Sequence, residues 1–185
     1  MRGSLHEREG KAMKGLVHIY TGNGKGKTTA AIGLGVRAVG SGMKVLMVQF
    51  LKGRSSGEEN SIEKLKPNFE LHKTKQIDKF TWQLTPQEKE QMQETTKHLF
   101  DYALNQAQSK DLIILDEIMA AITTGLIDVN QISDFIKNKP AQLELVLTGR
   151  NAPKELIELA DYVSEINAVK HPMSKGIQAR KGIEF

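Results

Sequence analysis

The chain has 185 residues, 39% of them hydrophobic and 26% charged, with a formal net charge of +4; this suffices for one well-buried domain and is short for two. It contains no cysteine, which excludes disulfides, thiolate catalysis and Cys-based metal sites and suits a reducing cytoplasm. No apolar run approaches the ~20 residues that span a bilayer, and the start, "MRGSLHEREGKAMKG", lacks the apolar core of a secretory signal.

Residues 1–14 read as a tail, flexible or docked on a partner, because 5–14 are too polar to fold alone; residues 15–185 read as a single α/β domain. "LVHIYT" (16–21) is apolar and β-branched and predicts a strand. A glycine-rich turn then opens a helix over about 27–39, which "GSG" ends, and "KVLMVQF" (44–50) predicts a buried strand. "GRSSGEENSIEKLKP" reads as a loop with a short helix stopped by Pro67, and "FELHK" as a third strand. Thr85, Pro86 and Glu88 form a helix start, with Thr85 as N-cap and Pro86 at the first helical position, and that helix runs to about 108. "DLIILDE" (111–117) is an apolar strand ending in two acids. "DVNQISDFIKN" predicts a helix, "LELVLTG" (143–149) a strand, "APKELIELA" a helix and "DYVSEIN" a last strand. Strands this apolar, separated by helices, indicate a mostly parallel sheet covered on both faces; with "TGNGKGKTT" between the first strand and helix, the expected fold is P-loop NTPase-like (RecA-like).

Such a sheet binds ligands at the carboxyl ends of its strands, where the informative residues fall. In "TGNGKGKTT" the glycines Gly22, Gly24 and Gly26 let backbone N–H groups turn inward around phosphate oxygens. Lys27 reaches over the phosphates and Thr28 offers a hydroxyl to magnesium; with Asn23, Lys25 and Thr29 they complete the nucleotide-binding set. The pattern departs from the common one at Thr21, where a glycine usually stands. Asp116 and Glu117 end a run of four apolar residues, as the acids that hold magnesium or its waters do in P-loop enzymes. Arg150, just past a strand end, either contacts a phosphate chain through its planar fork or lies on the surface. The five histidines (His6, His18, His72, His98, His171) show no zinc-ligand spacing. Met43, Met47, Met92 and Met119 read as core or helix-face residues, and Arg37 as a solvated or structural one. Phe80 and Trp82, two apart in "KFTW", present one apolar face if extended, either to the core or to a ligand. The residues by themselves define a magnesium-dependent P-loop nucleotide enzyme with an open second substrate. A kinase, an ATPase and a nucleic-acid-dependent ATPase all fit that description, though no arginine-rich stripe interleaved with aromatics supports nucleic acid.

Taken together, "TGNGKGKTTAA", "VQFLKG", "FTW", "LDEI", "LTGRNAP" and "VKHP…KGI…KGIEF" resemble, in order and over about 14–185, the P-loop ATP:corrinoid adenosyltransferases, the CobA/CobO/BtuR family. The segment around "QIDKFTWQLT" and the stretch 53–78 match less well. The resemblance implies transfer of the 5′-deoxyadenosyl group of ATP to the cobalt of a reduced corrinoid, with triphosphate released. It implies ATP as cosubstrate, Mg2+ or Mn2+ on Thr28, Asp116 and Glu117, and Lys27, Glu117 and Arg150 as catalytic residues. It further implies ATP lying reversed in the loop, and Phe80 and Trp82 as a wall beneath a cobalamin or cobinamide-type corrinoid. A cytoplasmic homodimer supplied by a flavoprotein reductant, without nucleic-acid or membrane partners, completes the expectation.

Overall fold

A computed structural model describes residues 14–51, 56–74 and 84–184. Six strands form one sheet in the order β3-β2-β4-β5-β1-β6, and every pairing is parallel. They are β1 (Val17–Thr21), β2 (Val45–Gln49), β3 (Phe69–His72), β4 (Leu112–Asp116), β5 (Glu144–Thr148) and β6 (Tyr162–Glu165). The helices are α1 (Lys27–Gly40), α2 (Gly57–Glu63), α3 (Pro86–Gln106), α4 (Ile118–Thr123), α5 (Val129–Asn138) and α6 (Lys154–Leu159). The expectation of a mostly parallel sheet is met by a wholly parallel one among the described strands.

Strand side chains alternate between faces, and the core divides accordingly. Leu46 and Val48, Ile113 and Leu115, and Leu145 and Leu147 pack with Leu99 and Phe100 of α3, Met119 of α4, Phe135 of α5 and Leu156 of α6. Val45 and Met47, Leu112 and Ile114, and Val146 pack on the opposite face with Ala31 and Ala38 of α1 and Ile62 of α2. Helices thus cover both faces, as the uninterrupted apolar strands require. Met47, Met92 and Met119 are buried and Met43 partly so, while Arg37 lies exposed in the last turn of α1. There its charge faces the negative end of the helix dipole.

The local signals at the helix ends operate as read. Thr85 Oγ1 accepts from Glu88 N–H at 3.2 Å and Glu88 Oε2 accepts from Thr85 N–H at 2.9 Å, a reciprocal cap with Pro86 at the first position. α1 closes with Ser41 and Gly42 N–H donating to the carbonyls of Ala38 and Val39, Gly42 taking φ 84°. Two elements go beyond the predicted ones: α4, and a 3-10 turn over Pro172–Lys175. "IMAAIT" is a short apolar run in which helix and strand have the same pattern. Its N-cap is Glu117 in the left-handed region at φ 61°, whose side chain does not cap the helix.

Candidate active site

The carboxyl ends of β1, β4 and β5 lie side by side, with β5 between the other two, and each delivers one part of the site. After β1 the P-loop turns through Gly22 (φ 96°) and Gly26 (φ 125°) into α1, which begins at Lys27. Lys27 folds back over the loop, its Nζ donating to the carbonyls of Gly22 and Gly24 at 2.8 Å each. Its side chain is buried, and burial first of all holds the ammonium below its ordinary pKa; nearby Glu117 pulls the other way and Arg150 adds to the lowering.

Two of the glycines have a second reason to be glycine. A Cβ on Gly22 would meet the Ile166 carbonyl oxygen at 2.5 Å, and one on Gly24 would meet it at 2.7 Å. The loop after β6 is laced against the P-loop here: Gly24 N–H donates to Ile166 O at 2.6 Å, and Ile166 N–H to Thr21 O at 2.9 Å. Gly24→Ala therefore forces backbone apart and is expected to destabilise by about 1–3 kcal/mol, as overpacking does. A thermal melt beside the parent chain checks this, and an unchanged midpoint would contradict the close approach. Thr21, the departure from the common loop pattern, is buried and its hydroxyl accepts from Ala152 N–H at 3.3 Å, tying the P-loop to the segment after β5.

Asp116, at the end of β4, is fully buried and acts as a hub. Its Oδ1 accepts from Thr28 Oγ1 at 2.9 Å and from Thr148 Oγ1 at 2.7 Å, and its Oδ2 from Gln49 Nε2 at 3.0 Å. Thr148 Oγ1 in turn accepts from Glu117 N–H at 2.9 Å, which fixes the left-handed turn that swings Glu117 toward the P-loop. Gly149 adopts φ 139° and packs against Met119, so that a Cβ there would lie 2.6 Å from Met119 Cβ. One polar network thus joins α1, β2, β4 and β5.

A cavity of about 370 Å³ opens over this network. Asn23, Gly24, Lys25, Gly26, Lys27 and Thr28 line it together with Glu117 and Arg150, so the structure brings all of these predicted residues to one place. Gly22 contributes its carbonyl to Lys27 from behind the loop, Asp116 lies beneath Thr28, and Thr29 is exposed on the first turn of α1 outside the lining. Phe80 and Trp82 lie outside the described residues. Glu58, His171 and Glu184 also line the cavity and were not read as site residues, although His171 and Glu184 lie in the "VKHP" and "KGIEF" stretches that carry the resemblance. Glu184 accepts from Lys25 Nζ at 3.3 Å and from Arg180 Nη2 at 3.0 Å. Arg180 first of all pulls its carboxyl down to about 2.

The oxygen set of Thr28, Asp116 and Glu117 suits magnesium, which takes one or two protein carboxylates and completes its shell with substrate phosphates. No group of three or more His, Cys, Asp or Glu side chains able to hold a metal by themselves occurs among the described residues.

A wholly parallel sheet among the described strands, a P-loop, a buried acid hydrogen-bonded to the loop threonine and a lysine folded over the loop together define a protein of the P-loop NTPase-like fold. The family model described as ATP:corrinoid adenosyltransferase BtuR/CobO/CobP matches residues 13–185. The chain is 35% identical over 179 residues to the corrinoid adenosyltransferase of Escherichia coli K12, covering 93% of this chain and 86% of that one. It is 38% identical over 179 residues to a corrinoid adenosyltransferase from a Sinorhizobium species (93% and 81%). With the corrinoid adenosyltransferase CobA of Salmonella typhimurium the identity is 33% over 179 residues (93% and 86%). This chain belongs to the ATP:corrinoid adenosyltransferase family, and it is a transferase.

Proposed function

We propose that the chain transfers the 5′-deoxyadenosyl group of ATP to the cobalt of a reduced corrinoid. The observation that carries the reading is the convergence of Lys27, Thr28, Glu117 and Arg150 on one cavity over the P-loop, in a chain of this family. Co(I) attacks the ribose C5′ carbon with its electron pair, a cobalt–carbon bond forms, the C5′–O bond breaks, and the electrons of that bond leave with triphosphate. Thr28 and Glu117 would hold magnesium, which would supply charge neutralisation on the phosphates. Lys27 and Arg150 do the same from the protein, facing the charge that grows on the leaving oxygen. The loop N–H groups and the α1 N-terminus hold the triphosphate still, so that C5′ stays in line with the cobalt. The chemistry asks for no base to activate water, so Asp116 and Glu117 serve the metal and the loop and not a water. Phe80 and Trp82 are proposed as the apolar wall under the corrin. A homodimer in the cytoplasm, served by a flavoprotein reductant and acting in cobalamin synthesis or salvage, belongs to the same reading. Among the described residues no helix is long and apolar enough to cross a membrane.

The products decide between this reading and a kinase or ATPase. Incubation with ATP, magnesium and chemically reduced cobalamin is expected to change the corrinoid spectrum to that of the cobalt–carbon product. Phosphate-resolving chromatography is expected to recover intact triphosphate in equal amount. ADP as the main nucleotide product would refute the assignment.

A further inference from the structure

The segment after β6 returns across the P-loop and brings to it a second cavity. This cleft of about 360 Å³ shares Lys25, His171 and Glu184 with the P-loop cavity and is otherwise walled by Pro172, Met173, Ile177 and their neighbours. The two spaces differ in chemistry. The first carries the loop N–H groups, Lys25, Lys27 and Arg150, the donors a triphosphate needs. The second exposes apolar side chains, with Met173 74% and Ile177 51% accessible. Glu184 stands where they meet.

Its placement is built. Glu184 Oε2 accepts from Arg180 N–H at 2.8 Å and from Nε at 3.2 Å, while Oε1 accepts from Nη2 of Arg180 and from Lys25 Nζ. The apolar wall is fixed as well. His171 Nδ1 accepts from Met173 N–H at 3.3 Å, His171 O accepts from Ser174 Oγ at 2.7 Å, and Gly176 at φ 74° ends the turn. A carboxylate beside a phosphate cradle repels phosphate, and what it accepts is a hydroxyl or an amine. An apolar slot next to such a carboxylate matches a nucleoside, a flat base joined to a sugar diol. A corrin macrocycle, several times the size of a purine, overfills the same slot.

We infer that this C-terminal segment is the nucleoside end of the ATP site, with Glu184 receiving the ribose hydroxyls and Pro172, Met173 and Ile177 receiving the adenine. The inference rests on the P-loop cavity being the triphosphate site. Glu184 meets the diol as an ionised acceptor, its carboxyl drawn down to about 2 by Arg180 first of all. Four donors already sit on its two oxygens, so a ribose hydroxyl takes the place of the long Lys25 contact of 3.3 Å, and Lys25 turns to the phosphates where the two halves of the nucleotide join.

Calorimetric binding of magnesium complexes of ATP, 2′-deoxy-ATP, 3′-deoxy-ATP and inorganic triphosphate, without corrinoid, tests it. The parent chain should prefer ATP over at least one deoxy form by about tenfold or more, the scale of a hydrogen bond to a charged group. Glu184→Ala should abolish that preference while binding inorganic triphosphate as well as before or better. The double variant Met173→Ala, Ile177→Ala should weaken ATP by about tenfold and leave inorganic triphosphate unchanged. Equal loss of ATP and triphosphate in Glu184→Ala, or a preserved ribose preference, would overturn the role of Glu184. Normal ATP binding with loss of corrinoid use in the double variant would give the cleft to the corrin instead; a changed oligomeric state would give it to a second copy. If triphosphate fails to compete with ATP in the parent chain, the phosphate site itself is wrongly placed. That result is distinct from the variant outcomes and takes the inference with it.

Discussion

Lys27→Ala lowers turnover at saturating ATP by about a hundred- to a thousandfold, the effect of removing one donor aimed at developing charge, ~2.7–4 kcal/mol. The ammonium is shared between the carbonyls of Gly22 and Gly24. It spans the mouth of the loop in which a triphosphate would lie. Moving it onto phosphate oxygens exchanges two neutral acceptors for charged ones, which strengthens each hydrogen bond. The gain is largest when the leaving oxygen carries most charge, so kcat falls as well as affinity. Lys27→Arg does not restore the rate, because a planar fork on a longer stem does not fit where a compact ammonium meets two carbonyls. Burial holds the free ammonium below its ordinary pKa, and bound triphosphate draws it back up. ATP affinity therefore falls as pH rises through the depressed range. Steady-state assays with chemically reduced corrinoid measure the rate, and near-normal turnover of Lys27→Ala at saturating ATP would refute the P-loop assignment.

Asp116 separates structure from chemistry through two substitutions. Asp116→Ala leaves the buried hydroxyl of Thr148 and the buried amide of Gln49, along with the partly buried hydroxyl of Thr28, without their shared acceptor. Each orphaned buried group costs about 1–3 kcal/mol, so the variant is expected to lose several kcal/mol in total and to melt well below the parent. Asp116→Asn keeps the shape. Its Oδ1 still accepts from both threonines, and its Nδ2 then faces Gln49, whose Oε1 has no hydrogen-bond partner among the described residues. A flip of the Gln49 amide turns that oxygen toward the new donor, so the contact between the two side chains is kept while the partnerless end of Gln49 passes from its oxygen to its nitrogen. The Asn variant is therefore expected to melt within about 1 kcal/mol of the parent, as a volume-conserving change does. Its activity should nonetheless fall by about a hundredfold, because the carboxylate charge beneath Thr28 is gone and magnesium is held less well. A raised magnesium requirement in the Asn variant is the signature. Full activity in Asp116→Asn, or equal melting of both variants, would contradict the hub.

Much of the architecture is local and was therefore legible. Lys27 closes on carbonyls three and five residues before it, and the α3 cap is a four-residue exchange between Thr85 and Glu88. Such contacts are set by spacing along the chain. Strand-like runs predicted all six strands, and the lack of alternation in β2, β4 and β5 predicted the burial on both sides that those three show, while β6 at the sheet edge is exposed along its length. That same lack of alternation left the faces unassigned, and only packing decided that Leu46 meets α3 while Val45 meets α1 and α2. α4 escaped for a related reason, since six apolar residues without a capping side chain have no period to read. The residues around the loop that sequence missed are those brought there from far along the chain. Thr21 finds Ala152, Gly24 finds Ile166, and Lys25 finds Glu184 across 159 positions. The sequence alone determined the phosphate loop, because its chemistry lies in consecutive residues. The tertiary structure alone decided what faces that loop, because a parallel sheet gathers the carboxyl ends of distant strands at one edge, and the order of strands, which no local pattern encodes, settles which of them meet.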